Sequence, residues 1–239
     1  MATVTVRQHM KVALVVDEEN LRALDKAIRD FVPGIRIEAT TADGVVHAMD
    51  NIEELLQLPN SSDEAIIEFG WKGHDVKAKN TAIVNIDSST FERNATFTFE
   101  SPDGSKVREL KRQVVTWLRE NRAAYDWIAE RNMVMVVVMA WAVLYSGLWV
   151  WAKTNPQQPR ATDEPLTLAQ AIVVVTFWLL PIAGGWVLEK LKPFAFPVLA
   201  LQTGHGKKRY QRASTVRNGV LLALVVGIVG SVIAAKLFP

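Results

Sequence analysis

Three long uncharged stretches in the C-terminal half constrain the fold more than any other feature. They run roughly over Met133–Trp151, Leu166–Leu188 and Gly219–Ala235, and none contains Asp, Glu, Lys, Arg or His. About 20 apolar residues of helix cross the hydrocarbon core of a bilayer. The third stretch is shorter, but Leu237 and Phe238 extend it past a lysine whose side chain can snorkel. A buried core helix is the alternative for each stretch, but three in a row favour three transmembrane helices.

Charge is divided unevenly between the two parts of the chain. Residues 1–104 carry 10 Lys/Arg and 18 Asp/Glu, a net charge of −8, whereas residues 190–218 carry seven Lys/Arg and no acidic residue. The loop between the first two stretches has only two basic residues, Lys153 and Arg160. Because basic loops stay on the cytoplasmic side, this bias predicts a multi-pass protein of the bacterial inner membrane. Its N-terminus would be cytoplasmic and its C-terminus outside.

The first 104 residues carry the pattern of an α/β domain. Valine-rich Val12–Val16 predicts a strand, and apolar residues at helical spacing after Asp17 predict a helix that ends at Pro33-Gly34. A hairpin turn is expected at Ala42-Asp43-Gly44, and Asn51 is a candidate cap for a short helix. Three later segments are strand candidates, namely Glu64–Trp71, Asp75–Ile86 and Ala95–Glu100.

These patterns together predict a fold class and three regions. We expect an α+β cytoplasmic sensor or interaction domain with a mixed or antiparallel sheet over residues 1–104. An amphipathic linker helix follows over 105–132, and an all-α membrane domain over 133–239, with spans at about 133–151, 166–188 and 219–237 and a basic cytoplasmic loop at 189–218. No Pro or Gly interrupts Ser105–Ser146, so the linker either continues into the first span as one rod or breaks near Asn132.

The chain contains no recognisable catalytic constellation. It has no cysteine, which excludes disulfides and Cys-based metal sites, and its four histidines show no ligand spacing. Neither a phosphate-binding Walker loop nor a nucleophile elbow is present. The segment Gly70–His74 reads as a turn between strands that either contacts a ligand or is only a hairpin loop. We predict a non-enzymatic protein without a catalytic residue, cofactor or metal.

A glycine-rich basic segment is the candidate binding site. The apolar segment Pro193–Gly204 is too short to span a membrane and should lie at its inner interface. Gly204 and Gly206 expose backbone N–H groups next to several cations, which suits the phosphate of a lipid headgroup, a nucleotide or an oligonucleotide. The alternative is a topology signal alone. The candidate residues are Gly204, Gly206, Lys207, Lys208, Arg209 and Arg212.

Two further patterns concern helix packing. Small residues recur every four positions in the third stretch, and such a stripe lets two helices approach closely. We therefore expect a helix–helix contact, within the chain or with another subunit of a homo-oligomer. In the second stretch, Pro181 with Gly184-Gly185 predicts a hinge. The stripe comprises Gly219, Ala223, Gly227, Ser231 and Ala235.

Two segments carry a resemblance to other proteins. The run from Asp43-Gly44 through Asn51–Asn60, followed by strands and a helix that ends near Trp127, resembles a domain of uncharacterised bacterial membrane-anchored proteins. Pro193–Arg209 resembles the tail of such proteins. The architecture is also similar to small transmembrane effectors of bacterial anti-phage systems, in which a cytoplasmic sensor gates an oligomeric membrane part. This resemblance implies a cytoplasmic partner or ligand and a homo-oligomer in the lipid bilayer.

Three functional hypotheses follow. The first is a homo-oligomeric inner-membrane effector whose cytoplasmic domain senses a ligand or partner and gates a pore or ion channel. The resemblance implies a role in antiviral defence for such an effector. The second is a membrane-anchored adaptor whose spans only tether a binding domain. The third is an enzyme acting on lipid headgroups, for which His205 would be the best candidate residue.

Overall fold

The computed structural model describes residues 3–89, 94–129, 131–154 and 168–219. These residues form two compact units. One contains the described residues up to 129 together with those from Phe194 onward, and the other lies within Arg131–Pro193. The first unit is therefore built from two distant parts of the chain. We refer to it as the α+β unit.

The predicted membrane domain is wrong. A helix needs about 20 apolar residues to cross the hydrocarbon core, and no helix in the described part of the chain is both long and apolar enough to do so. The predicted fold class, the multi-pass inner-membrane location and the channel or pore are corrected on this finding. Of the third predicted span, residues 220–237 lie outside the described residues.

The described residues form an α+β fold with a six-stranded antiparallel sheet. The spatial order of its strands is β1-β7-β6-β5-β3-β4, and a separate two-stranded sheet pairs β2 with β8. The strands are β1 Val4–Met10, β2 Leu14–Val16, β3 Arg36–Thr41, β4 Val46–Met49, β5 Ile66–Asp75, β6 Asn80–Asp87, β7 Ala95–Ser101 and β8 Leu199–Leu201. The helices of the α+β unit are α1 Glu18–Phe31, α2 Ile52–Gln57, α3 Gly104–Glu120 and α4 Asp126–Ala129, and residues 206–219 are also helical.

One face of the large sheet is covered and the other is open. In β7, Ala95, Phe97 and Phe99 are buried while Thr96 and Thr98 between them are partly exposed, as the period of two in a strand requires. Helices α1 and α3 pack on the covered face. Their apolar residues recur at helical spacing and are fully buried, which supplies the main core of this unit.

Side chains at the helix N-termini fix where three helices begin. Asp17 accepts a hydrogen bond from the Asn20 N–H at 2.8 Å, and Asp103 accepts one from the Ser105 N–H at 2.9 Å. The predicted cap at Asn51 is confirmed, because its side chain accepts from the Glu54 N–H at 3.0 Å. Each cap satisfies a backbone donor that has no partner within its own helix.

The interpretation of Gly70–His74 as a turn is wrong. These residues lie inside β5, and the chain reverses at residues 76–79, where Lys79 has a φ of 54°. Gly70 is required for a different reason, since a Cβ there would overlap the backbone carbonyl oxygen of Val84 on β6. Glycine in a strand often marks such a close backbone approach, and the sequence pattern alone does not separate it from a turn glycine.

The stretch after the sheet does not form one rod. α3 ends at Glu120, where Asn121 caps it, and its apolar face packs on the sheet instead of linking two domains. The short helix α4 and residues outside any helix follow before the next helix begins at Met133. Of the two alternatives left open by the sequence, the broken helix is the observed one.

The second unit contains two long helices, α5 Met133–Thr154 and α6 Leu168–Ala195, the latter ending just beyond the unit's limit. The predicted hinge residues Pro181, Gly184 and Gly185 all lie within α6. Gly185 is a point of close packing, because a Cβ there would meet the Val134 Cα on α5 at 2.7 Å. Of the predicted small-residue stripe, Gly219 ends the described residues and the other four members lie outside them.

Candidate binding groove and docked C-terminal segment

Helices α1 and α3 leave a groove between their outer faces, which we name the α1–α3 groove. It consists of two adjoining depressions of about 560 and 370 Å³ that share Ala27 and Gln113. Ala23 and Ala27 lie on one face of α1 at i, i+4 spacing, and their small side chains leave the space unfilled. The remaining lining residues are Leu24, Asp30, Phe31, Asn80, Ser105, Lys106, Glu109, Leu110, Arg112, Thr116, Trp117 and Glu120.

Carboxylates flank the apolar floor of this groove. Glu109 accepts hydrogen bonds from Arg112 Nη2 at 2.8 Å and Gln113 Nε2 at 3.0 Å. The bond from Arg112 is the main cause that lowers the pKa of Glu109, which therefore stays ionised at neutral pH. The side chain of Asp30 on the opposite helix is exposed and makes no hydrogen bond or ion pair with another described residue. Lys106 and Arg112 also line the groove and Arg112 is paired with Glu109, so Asp30 is a carboxylate that can accept a cationic group beside the apolar floor.

The second candidate feature is the docking of the C-terminal segment Val198–Arg209, which we name the docked segment. Its strand β8 lies parallel to β2, with Leu14 opposite Leu199 and Val16 opposite Leu201. The Leu14 N–H donates to the Val198 carbonyl at 2.8 Å, and the Gln202 N–H donates to the Val16 carbonyl at 2.8 Å. The segment thus adds a strand to the N-terminal part of the same unit.

Asn60 connects the docked segment to the loop after α2. Its side chain is fully buried and its φ is 47°, a left-handed conformation that asparagine adopts more readily than most residues. Its Nδ2 donates to the Leu201 carbonyl at 3.1 Å and to the Thr203 hydroxyl at 3.3 Å. Its Oδ1 accepts from the Ile66 N–H at 3.2 Å. One amide therefore satisfies polar groups on two segments more than 130 residues apart.

The glycine-rich basic segment is part of this docking arrangement. Gly204 has a φ of 48°, and a Cβ on it would lie 3.0 Å from the Pro59 carbonyl oxygen. A Cβ on Gly206 would overlap the Leu201 carbonyl and the Asn60 amide. Arg209 Nη1 donates to the Ser61 carbonyl at 2.8 Å and Nη2 to Asn60 Oδ1 at 3.1 Å. Burial lowers the pKa of this guanidinium, but arginine keeps its charge in proteins.

Tyr125 contacts residues that flank the docked segment on both sides. Its hydroxyl donates to the Pro197 carbonyl at 3.1 Å, and its ring meets that of Phe196 edge to face at 5.7 Å. The Arg217 guanidinium lies 4.5 Å from the ring centroid of Tyr125, within cation–π range. Burial raises the pKa of this phenol, so it remains a hydrogen-bond donor at any physiological pH.

The structure separates the six predicted phosphate-site residues into two groups. Gly204, Gly206 and Arg209 contact the loop after α2, whereas Lys207, Lys208 and Arg212 are exposed on the helical residues 206–219. The cluster that the spacing suggested is therefore divided, and an anion site at the three exposed cations stays a prediction. In the described residues, no group of three or more His, Asp or Glu side chains could hold a metal ion.

Sequence reasoning missed the residues that receive the docked segment. Neither Asn60 nor Tyr125 is among the residues for which the sequence predicts a contact. An asparagine after a helix is a signal for left-handed backbone, but nothing local to it points to a partner more than 140 residues later.

Comparisons with known proteins add no relative. The chain matches no protein-family model, and no curated protein and no solved structure is similar to it. The resemblance to bacterial membrane-anchored proteins and to anti-phage effectors therefore stays a prediction. The function of the chain is therefore inferred from its geometry alone.

Proposed function

We propose that the chain is a non-enzymatic binding protein whose α+β unit holds a segment of a protein partner in the α1–α3 groove. The groove is the observation that supports this proposal. Its two depressions lie in the range of sizes of ligand sites, but they adjoin along two helices, which suits an elongated segment better than a compact small molecule. Helix-lined grooves recur in peptide recognition.

The charge of the groove indicates what kind of segment fits. Asp30 places a carboxylate on the wall formed by α1, whereas Glu109 on the wall formed by α3 is already paired with Arg112, and the floor includes Leu24, Leu110 and Phe31. A segment with a basic side chain beside an apolar anchor satisfies both features.

The hypotheses that depend on membrane spans are not carried further. The sensing half of the effector hypothesis and the adaptor hypothesis have one element in common, a domain that binds a partner. A domain that binds a partner without an enzymatic role is therefore the proposed function, and a measured catalytic activity at the groove would contradict it.

The proposal is tested by filling the groove. Ala27→Phe places a ring where the two depressions meet, and Ala48→Phe places the same ring on the exposed edge strand β4 as the matched control. A photo-crosslinking residue at Gln113 in the full chain reports what lies in the groove inside cells.

We expect crosslinked protein adducts from Gln113 that Ala27→Phe reduces about tenfold, which corresponds to about 1.4 kcal/mol of binding free energy. Ala48→Phe should leave the adducts unchanged. Equal adducts in both variants would show that the partner does not occupy the groove. A groove that takes only a small molecule would give no adduct from Gln113 in any chain.

A further inference from the structure

The docked segment reaches its site as a separate piece of chain. Residues 131–193 belong to the other compact unit, and in the sequence they separate the docked segment from the part of the chain that receives it. The contacts have two components, main-chain pairing along β2 and recognition by the loop Leu58–Ser61. Strand addition gives affinity through the main chain, and pockets for particular side chains give specificity.

Four residues of the docked segment each meet a specific steric or hydrogen-bonding requirement of the site. The Thr203 hydroxyl accepts from Asn60 Nδ2, Gly204 has a positive φ against Pro59, and Gly206 has no room for a Cβ. Arg209 donates to both the Ser61 carbonyl and Asn60 Oδ1. Together they define the pattern Thr-Gly-x-Gly-x-x-Arg, in which each named residue has its own physical requirement.

This site can exchange one copy of the docked segment for another, but an empty site is unfavourable. Leu199 and Leu201 are 7% and 2% exposed and belong to the main core of the unit. Release of the segment would expose them to water, which is unfavourable. A second copy of the chain carries the same segment, and its insertion would restore every buried contact. Such an exchange between identical chains is a low-cost route to a dimer.

We propose that β2 and the loop Leu58–Ser61 form a peptide-recognition site for the Thr-Gly-x-Gly-x-x-Arg pattern, and that the docked segment of a second copy can replace the chain's own. The site is distinct from the α1–α3 groove and does not depend on the function proposed for it. The exchanged form is a homodimer in which each copy completes the core of the other.

The test separates the receiving side from the donated side. Arg209→Ala weakens the chain's own segment but leaves the receiving site intact. Asn60→Asp damages the receiving site, because it removes the donor to Leu201 and Thr203 while it keeps the acceptor and tolerates the positive φ. The probe is a fluorescent peptide with the sequence of residues 196–212, added to full-length chains and measured by anisotropy.

We expect the Arg209→Ala chain to bind the peptide at least tenfold more tightly than the wild-type chain, whose site is already occupied. The double variant with Asn60→Asp should lose this gain, and a peptide with alanine at the position of Arg209 should bind at least tenfold more weakly. Mixing the two single variants should give heterodimers by light scattering, because the intact site of one accepts the intact segment of the other.

Two outcomes would overturn the proposal. An Arg209→Ala chain that is folded, with a urea midpoint close to the wild type, and that binds no peptide and forms no heterodimer would show that the docked segment is a permanent part of the fold. Equal binding of the two peptides would show a general charge attraction instead of recognition. If Arg209→Ala does not fold, Thr203→Val serves as the weakened segment, with the same expected results.

Discussion

Replacement of Asn60 by alanine should destabilise the α+β unit far more than an ordinary asparagine substitution. The change removes the only side chain that pairs with the Ile66 N–H and the Leu201 carbonyl among the hydrogen bonds of the described residues, and both residues are at most 3% exposed. An unsatisfied buried polar group costs about 1–3 kcal/mol. Alanine at a φ of 47° adds about 1–2 kcal/mol.

These contributions lead us to expect that Asn60→Ala lowers the free energy of unfolding by about 3 kcal/mol or more. Asn60→Asp should lower it by less, about 1–3 kcal/mol, because the carboxylate still accepts from Ile66 and Arg209. The matched control is Asn51→Ala. Asn51 caps α2 at an exposed position and makes only local contacts, so its loss should cost about 1 kcal/mol.

Equilibrium urea unfolding followed by circular dichroism measures all three variants. The comparison is valid while the dependence of the unfolding free energy on urea stays the same as in the wild-type chain. An Asn60→Ala chain that loses no more stability than Asn51→Ala would refute the reasoning, since it would mean that docking of the segment does not depend on the Asn60 amide.

Three further substitutions test the sheet, the buried network beneath α1 and the start of α3. Gly70→Ala should destabilise by about 1–3 kcal/mol in urea unfolding because β6 leaves no room for a Cβ, whereas Gly34→Ala, which meets open space, should change stability by less than about 0.5 kcal/mol. Asp25→Ala should cost about 1–3 kcal/mol because it removes the acceptor 2.9 Å from Trp71 Nε1, and Asp25→Asn, which keeps an acceptor, should cost less. Hydrogen bonds from the Ser105 hydroxyl and N–H lower the pKa of Asp103. The contribution of Asp103 to stability is therefore present above the unfolded pKa of about 3.9 and is lost as the pH falls through the lower pKa of the folded state. The difference in unfolding free energy between the wild type and Asp103→Asn should therefore shrink on acidification. A difference that does not depend on pH would contradict this role of Asp103.

Local patterns predicted most of the individual elements of the α+β unit. The helix after Asp17, the cap at Asn51 and the alternation of Ala95–Glu100 each depend on residues a few positions apart. Such signals survive in the folded protein because capping and amphipathic periodicity act within one turn or one strand.

Periodicity did not decide what the apolar segments pack against. The segment Val198–Leu201 was assigned to a membrane interface, but its side chains are buried against the N-terminal part of the chain. Hydropathy measures how unfavourable water is for a segment, and it does not distinguish lipid from a protein core. The membrane assignment of the long helices is corrected separately, by the finding that no described helix can cross a membrane.

The sequence by itself determined where several helices and strands of the α+β unit lie, among them α1, α2 and β7, because those signals are local. Only the tertiary structure decided that a glycine-rich basic segment binds the loop at Asn60, that Gly70 lies inside a strand, and that small residues on α1 leave a groove beside α3. Each of these depends on contacts between distant parts of the chain. A residue such as Asn60 carries no local mark of the partner it meets, since that partner is fixed by the packing of the whole unit.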